Sequence, residues 1–379
     1  MATVKTFQLL NSKNMSELDN FVSSTQVPGY DYDYSHYYSY GDYPHYDYGL
    51  CEKKHVRAFA KTFLPVFYGF VCALTIVGNA LLVFVLIRYI KLRSLTSVLL
   101  LNKSVADIFF AVTLPFWAVY IHSGWIFGDT GCKVITVIYT VSFYSSIFFI
   151  TCISLDRYLN IVWTNVTKTF GTLQRRCMIC VVVWAISFLA TAPELNFVKM
   201  QDFYGEMSCT HDFGDEHMSP WKIYLKFQIN ILGFLIPFLA MVFFYLRICC
   251  VVVKSGIVNK SRALKLAVAL VLIYFVLWFP YNLVLFLHSL QDLQVISNCA
   301  TSQQLDLALQ ITESLAFTHA FMNPILYAFV NKKFSGFLSK ILEKIKKTGK
   351  SYSLEWSGST SSGTGQNNEV ELTVIENVQ

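Results

Sequence analysis

The sequence predicts an all-α membrane protein: a bundle of seven transmembrane helices with a short amphipathic helix after the seventh span. Three observations predict it. The 379-residue chain is 54% hydrophobic and only 14% charged, where a soluble globular domain carries about 25% charged residues. Seven stretches reach the length of about 20 mostly apolar residues that a bilayer requires. Lys and Arg gather in alternate connections, as they do on the inner side of a membrane.

The seven stretches lie near 63–88, 97–121, 133–155, 177–195, 223–251, 264–288 and 305–330. None alternates like a barrel strand, and an open sheet would leave its edge hydrogen bonds unmet in lipid. The first connection holds Arg88, Lys91 and Arg93, the third Lys168, Arg175 and Arg176, and the fifth Arg247, Lys254, Lys260, Arg262 and Lys265. The fourth is acidic, with Asp202, Glu206, Asp212, Asp215 and Glu216. The N-terminus is therefore expected outside and the C-terminus inside. The first apolar stretch begins near Phe63, too late for a cleaved leader, so the first helix is expected to insert the chain.

Four regions follow: a tail at 1–62, a helical domain at 63–330, a juxtamembrane helix at 331–347 and a cytosolic tail at 348–379. The first tail is polar and expected to be largely disordered. Nine tyrosines, among them Tyr30, Tyr32 and Tyr34, lie between 30 and 48 beside Asp31, Asp33, Asp42 and Asp47. Such a segment is either a plain low-complexity tail or a substrate for tyrosine sulfation. Sulfated, it would steer a basic protein toward the membrane. Asn14-Met15-Ser16 is a glycosylation sequon on the same side. Residues 331–347 place Phe334, Phe337, Leu338, Ile341, Leu342 and Ile345 at helical spacing among lysines, the pattern of a helix lying on the inner leaflet. Ser351 to Thr364 form a Ser/Thr-rich stretch that is either a plain linker or a site where phosphorylation would build negative charge.

Of ten cysteines, Cys51, Cys132, Cys209 and Cys299 fall outside. Four extracellular cysteines imply two disulfides, with three pairings open. Asp107 in the second span and Glu313 in the seventh are carboxylates in lipid, which are costly and usually functional. Lys103 stands one turn before Asp107, where the two could pair at i,i+4; it could instead snorkel to the cytosolic interface. Pro115, Pro193, Pro237, Pro280 and Pro324 each interrupt a span and can kink it.

The +6 formal charge is too small and too scattered for a nucleic-acid binder. No Ser/His/Asp set, phosphate loop or zinc spacing is present, so no enzyme, cofactor or metal centre is expected. A kinked bundle with buried polar groups suits a signalling receptor or a transporter. A transporter should show internal repeats, and a channel a re-entrant filter; neither is evident.

Several motifs in order resemble the rhodopsin-like (class A) G-protein-coupled receptors. They are Gly78-Asn79, Asp107, Asp156-Arg157-Tyr158, Trp184, Pro237 with Tyr245, Trp278-Phe279-Pro280, and Asn323-Pro324-Ile325-Leu326-Tyr327. Thr113-Leu114-Pro115, Trp125-Ile126-Phe127-Gly128, Pro280-Tyr281-Asn282 and Glu313 make the chain similar to the chemokine receptors. Phe63 to Tyr68 and Leu277 to Val295 resemble the atypical, chemokine-scavenging members, while the intact Asp156-Arg157-Tyr158 resembles the signalling CC members.

This resemblance implies the pairings Cys132–Cys209 and Cys51–Cys299. It implies a basic chemokine as ligand, captured by the tail and inserted into a pocket lined by Tyr68, Trp117, Tyr139, Tyr281 and Glu313. It implies a Gi-type G protein meeting Arg157 after a rearrangement of Trp278, Tyr245 and Tyr327, and arrestin on a phosphorylated tail. A sodium-sensitive cluster of Asp107, Ser146 and Asn323 is also implied, with Lys103 standing where an apolar residue is usual and able to replace the ion. Asn160 replaces a small residue beside the Asp156 motif and could weaken coupling. The implied location is the plasma membrane, extending to recycling endosomes for a scavenger. A virus-captured homologue fits the same residues.

Overall fold

The computed structural model describes residues 53–330 except 91, 93, 164–171, 204, 215–219, 256–259, 294 and 297, together with 336 and 339; the side chains of 90, 203, 255, 260–270, 323 and 328–330 are also outside the description. Two compact units, Met1–Leu326 and Tyr327–Gln379, divide the chain. Asn14, the tyrosines at 30–48, Cys51 and, apart from those two positions, the helix expected at 331–347 lie outside the described residues.

Among the described residues seven helices run in chain order. They are α1 (Lys54–Val85, with a π-turn at Leu86–Ile90), α2 (Leu95–Ser123), α3 (Gly128–Val162) and α4 (Leu173–Leu195). After them come α5 (Pro220–Asn230, a π-turn at Ile231–Leu235, then Ile236–Ser255), α6 (Lys260–Asp292) and α7 (Cys299–Phe317, a break at Thr318, then His319–Val330). Between α4 and α5 a hairpin pairs β1 (Val198–Phe203) with β2 (Glu206–His211), antiparallel, with Met200 opposite Cys209.

Six of these helices, the first through the sixth, are long and apolar enough to cross a membrane. Val66, Leu189 and Val253 are at least 70% exposed on them, as outward positions must be when lipid is the solvent. The seventh helix departs from the expected single apolar span at 305–330: it is broken, and its first piece buries Asp306, Gln310 and Glu313. The other correction concerns α1, which starts at Lys54 and so takes in the last residues of the tail expected at 1–62. Buried Val56, Ala60 and Leu64 recur every four residues and carry the helix outward past its polar lysines.

Prolines in a helix free the carbonyl four residues back, and in lipid that group needs another donor. Pro237 frees Gly233 O, which accepts the Tyr274 hydroxyl of α6 at 2.8 Å. Pro324 frees Ala320 O, which accepts Asn79 Nδ2 of α1 at 3.0 Å. Beside it, a Cβ on Gly78 would come within 3.2 Å of Pro324, so the Gly78-Asn79 pair is what lets α1 approach α7. These two prolines are thereby converted into interhelical contacts. Tyr274→Phe is expected to lower stability by about 1 kcal/mol, read as a drop in the melting temperature of the purified receptor.

Candidate functional site

The half of the bundle nearest the β1–β2 hairpin holds the expected pocket residues, brought there by five helices. Tyr68 (α1), Trp117 (α2), Tyr139 (α3), Tyr281 (α6) and Glu313 (α7) are all buried. Tyr139 packs on Phe110 at 5.4 Å and Trp117 at 6.0 Å, and Tyr68 on Phe317 at 5.6 Å. Tyr139 and Tyr281 both lie within electrostatic range of Glu313. The result is a carboxylate set among tyrosine hydroxyls and apolar ring faces, an arrangement suited to an ammonium or guanidinium group.

The hairpin is tied down over this cluster. Cys132 at the head of α3 is disulfide-bonded to Cys209 of β2. Asp129 Oδ1 accepts Met200 N at 2.9 Å. Gly124, with φ of +80°, turns the chain after α2 where a Cβ would press on Met207 O. That turn lets Trp125 N reach Met207 O at 2.7 Å while its indole donates to Gly128 O at 2.8 Å. Cys299 is also disulfide-bonded, and its expected partner Cys51 lies outside the described residues.

Two polar groups at this level were not singled out from the sequence. Glu194, at the end of α4, accepts Thr140 Oγ1 at 2.8 Å and contacts His211 Nε2 at 2.9 Å, so it joins α3, α4 and β2. Asp306 of α7 pairs with Lys53 and with His288 Nε2 at 3.1 Å. His288 Nδ1 meets Lys226 Nζ at 2.8 Å, and Lys226 and Lys222 both pair with Asp292. This ionic chain links the entry to α1 with α5, α6 and α7. A carboxylate at the very end of an apolar span was the available signal in both cases.

Trp278 of α6 sits in the middle of the bundle, 5.2 Å from Phe143, 6.0 Å from Tyr281 and 5.0 Å from His319. Beneath it is a cavity of about 20 Å³, lined by Lys103, Ser146, Ile150, Trp278 and His319 among others; that is room for a water molecule. Lys103 does not snorkel. Its ammonium is 3.0 and 3.2 Å from the two oxygens of Asp107 and 2.9 Å from Ser146 Oγ, which in turn donates to Asp107 Oδ1 at 2.6 Å. All three side chains are buried. The expected cluster of Asp107 and Ser146 therefore already contains the positive charge of Lys103. The Asn323 side chain lies outside the described residues.

Near the C-terminal end of α3, Asp156 is buried. Thr96 of α2 donates to its Oδ2, and Asn160 Nδ2 reaches Oδ1 at 3.0 Å and the Asp156 carbonyl at 2.7 Å. Among the described residues no ion pair joins Asp156 to Arg157, which is exposed. Tyr245 donates to Ser154 Oγ at 3.1 Å and lies within electrostatic range of Arg157. Tyr158 accepts the Trp163 indole N–H at 3.1 Å. Tyr327 is half-buried on α7.

Residues 78–327 match the profile of the 7 transmembrane receptor (rhodopsin family). The chain is 46% identical over 294 residues to atypical chemokine receptor 2 of Mus musculus, covering 77% of this chain and 78% of that protein. It is 35% identical over 315 residues to C-C chemokine receptor type 1 of Homo sapiens, covering 83% and 87%. With C-C chemokine receptor type 8 of Homo sapiens it shares 37% over 294 residues, covering 78% and 82%. The chain belongs to the rhodopsin family of receptors, in its chemokine-receptor branch. It is accordingly a multi-pass membrane protein of a non-catalytic receptor class. The Cys132–Cys209 bond and the aromatic cluster around Glu313 thus lie at one end of a chemokine-receptor bundle.

Proposed function

We propose that this chain binds a basic chemokine, of the CC class by its relatives, at the plasma membrane with its N-terminus outside. The observation that carries the reading is Glu313, a buried carboxylate within electrostatic range of Tyr139 and Tyr281 under a disulfide-anchored hairpin. The tail at 1–62, with its Tyr/Asp segment around Tyr30, Tyr32 and Tyr34 and the Asn14 sequon, captures the ligand body by charge. The ligand's N-terminal amine or a basic side chain then enters between Trp117, Tyr68 and Tyr281 to reach Glu313. Glu313→Gln preserves shape and removes the charge, so it is expected to weaken chemokine binding by ~10-fold or more with surface expression unchanged. Competition binding on intact cells reads this directly.

Signalling follows a shift between two packings of the bundle. Ligand pressure on Tyr281 is passed to Trp278 above Pro280. The cytosolic ends of α5 and α6 then part, Tyr245 leaves Ser154, and exposed Arg157 meets a Gi-type G protein; Pro324 and Tyr327 of α7 rearrange with it. Arrestin follows phosphorylation of the tail after 348.

A second reading, scavenging without G-protein signalling through recycling endosomes, has its own support. Asn160 and Thr96 hold the Asp156 carboxylate that would otherwise face Arg157, and the match to atypical chemokine receptor 2 is the highest of the identities above. Measuring chemokine uptake and cAMP inhibition on the same cells separates the two. Gi coupling predicts a fall in cAMP that Arg157→Ala removes while uptake persists. Uptake with no cAMP response in the intact receptor overturns the signalling reading and leaves the scavenger.

A further inference from the structure

The Lys103–Asp107–Ser146 triad lies at the level of the Trp278 cavity, between the outer pocket and the cytosolic face, and the ligand reading makes no use of it. A carboxylate this deep in a bundle requires a counter-charge, because it is cut off from bulk water and lipid does not stabilise it. Two sources exist: a small cation drawn from solvent, or a side chain of the protein. Here the ammonium of Lys103 reaches both oxygens of Asp107, and Ser146 donates to one of them while accepting from Lys103. The cavity beside them is also lined by His319, which brings no negative charge. A second cation at this place would sit against an ammonium with no carboxylate left over among these lining residues.

We propose that Lys103 is a built-in counter-cation, and that it makes this receptor's bundle independent of sodium. The ammonium is tethered, so its local concentration does not change with the ionic composition on either side of the membrane. Through Ser146 it also pins α2 to α3. Removing it would leave the Asp107 carboxylate and the Ser146 hydroxyl, two hard oxygen donors, beside a cavity able to hold water. That is a set suited to a small hard cation. The ordinary receptor should therefore ignore sodium, and a receptor without the lysine should acquire a need for it.

The test uses the purified full-length receptor and sodium alone, with no chemokine, so its outcome is separate from that of the ligand reading. Thermal unfolding is recorded in rising NaCl against N-methylglucamine chloride at equal ionic strength. The intact receptor is expected to melt at the same temperature in both. Lys103→Met is expected to melt lower in N-methylglucamine and to recover by several degrees, saturably, as sodium is added. Lys103→Met with Asp107→Asn is expected to lose that response. Lys103→Gln, one atom shorter but keeping a neutral donor, serves if the methionine variant does not yield folded protein. A saturable, sodium-specific rise in the intact receptor overturns the proposal without recourse to any variant. So does a folded Lys103→Met or Lys103→Gln receptor that ignores sodium.

Discussion

Asp107→Asn is expected to lower the stability of the receptor by about 3–5 kcal/mol, the usual loss when one partner of a buried ion pair is removed. The amide is nearly isosteric, so packing hardly changes. What changes is that the Lys103 ammonium, 3% exposed, is left in the bundle without its carboxylate. Thermal unfolding of the purified protein reads the loss. Joining Lys103→Met to Asp107→Asn is expected to restore most of it, because an uncharged pair of similar volume no longer carries a buried charge. The coupling between the two positions, taken from the double-mutant cycle, should be large and favourable. Equal losses in Asp107→Asn and in the double variant would contradict the account.

Cys132→Ser is the other change with a large expected effect. The bond closes a loop of 77 residues and fastens β2 to the head of α3. Its removal frees the hairpin, and with it the Trp125 and Glu194 contacts that roof the aromatic cluster. Loss of a native disulfide costs about 2–5 kcal/mol. Cells expressing Cys132→Ser should show little chemokine-binding receptor, measured by bound ligand per surface copy. Cys209→Ser should match it, and the double variant should be no worse than either alone.

The seven helices were legible in the sequence because apolar length is dictated by bilayer thickness, and little else in a chain imitates it. The ends were less legible. Lys53, Lys54, Arg57 and Lys61 make the start of α1 look like tail, and the four-residue spacing of Val56, Ala60 and Leu64 takes on meaning only once those residues are seen to be buried. The seventh helix was the weakest span for the opposite reason: its first piece carries buried polar groups, Asp306, Gln310 and Glu313, that dilute its hydrophobicity. The β1–β2 hairpin was not foreseen, because six-residue strands in a polar connection carry too little periodicity to register.

The site was legible where a single residue type was out of place, as with Asp107, Glu313 and Lys103. It was illegible where the meaning depends on tertiary partners. Glu194 reads as an interfacial charge until Thr140 and His211 are seen to converge on it. The pairing of Asp156 with Thr96 and Asn160, rather than with adjacent Arg157, follows from how α2 lies against α3. Neighbouring residues on a helix point about a quarter-turn apart, and no sequence rule shows which of two donors will win. The satisfaction of Ala320 O by Asn79 and of Gly233 O by Tyr274 belongs to the same class.

The central claim, that this receptor takes a chemokine through its acidic tail and the Glu313 pocket, is tested most directly by binding. A panel of labelled CC chemokines is applied to cells bearing the intact chain, the Glu313→Gln variant, or neither. The account predicts saturable binding of at least one member to the intact chain, weakened by ~10-fold or more in the variant. Absence of saturable binding across the panel, or binding that ignores Glu313→Gln, would contradict it.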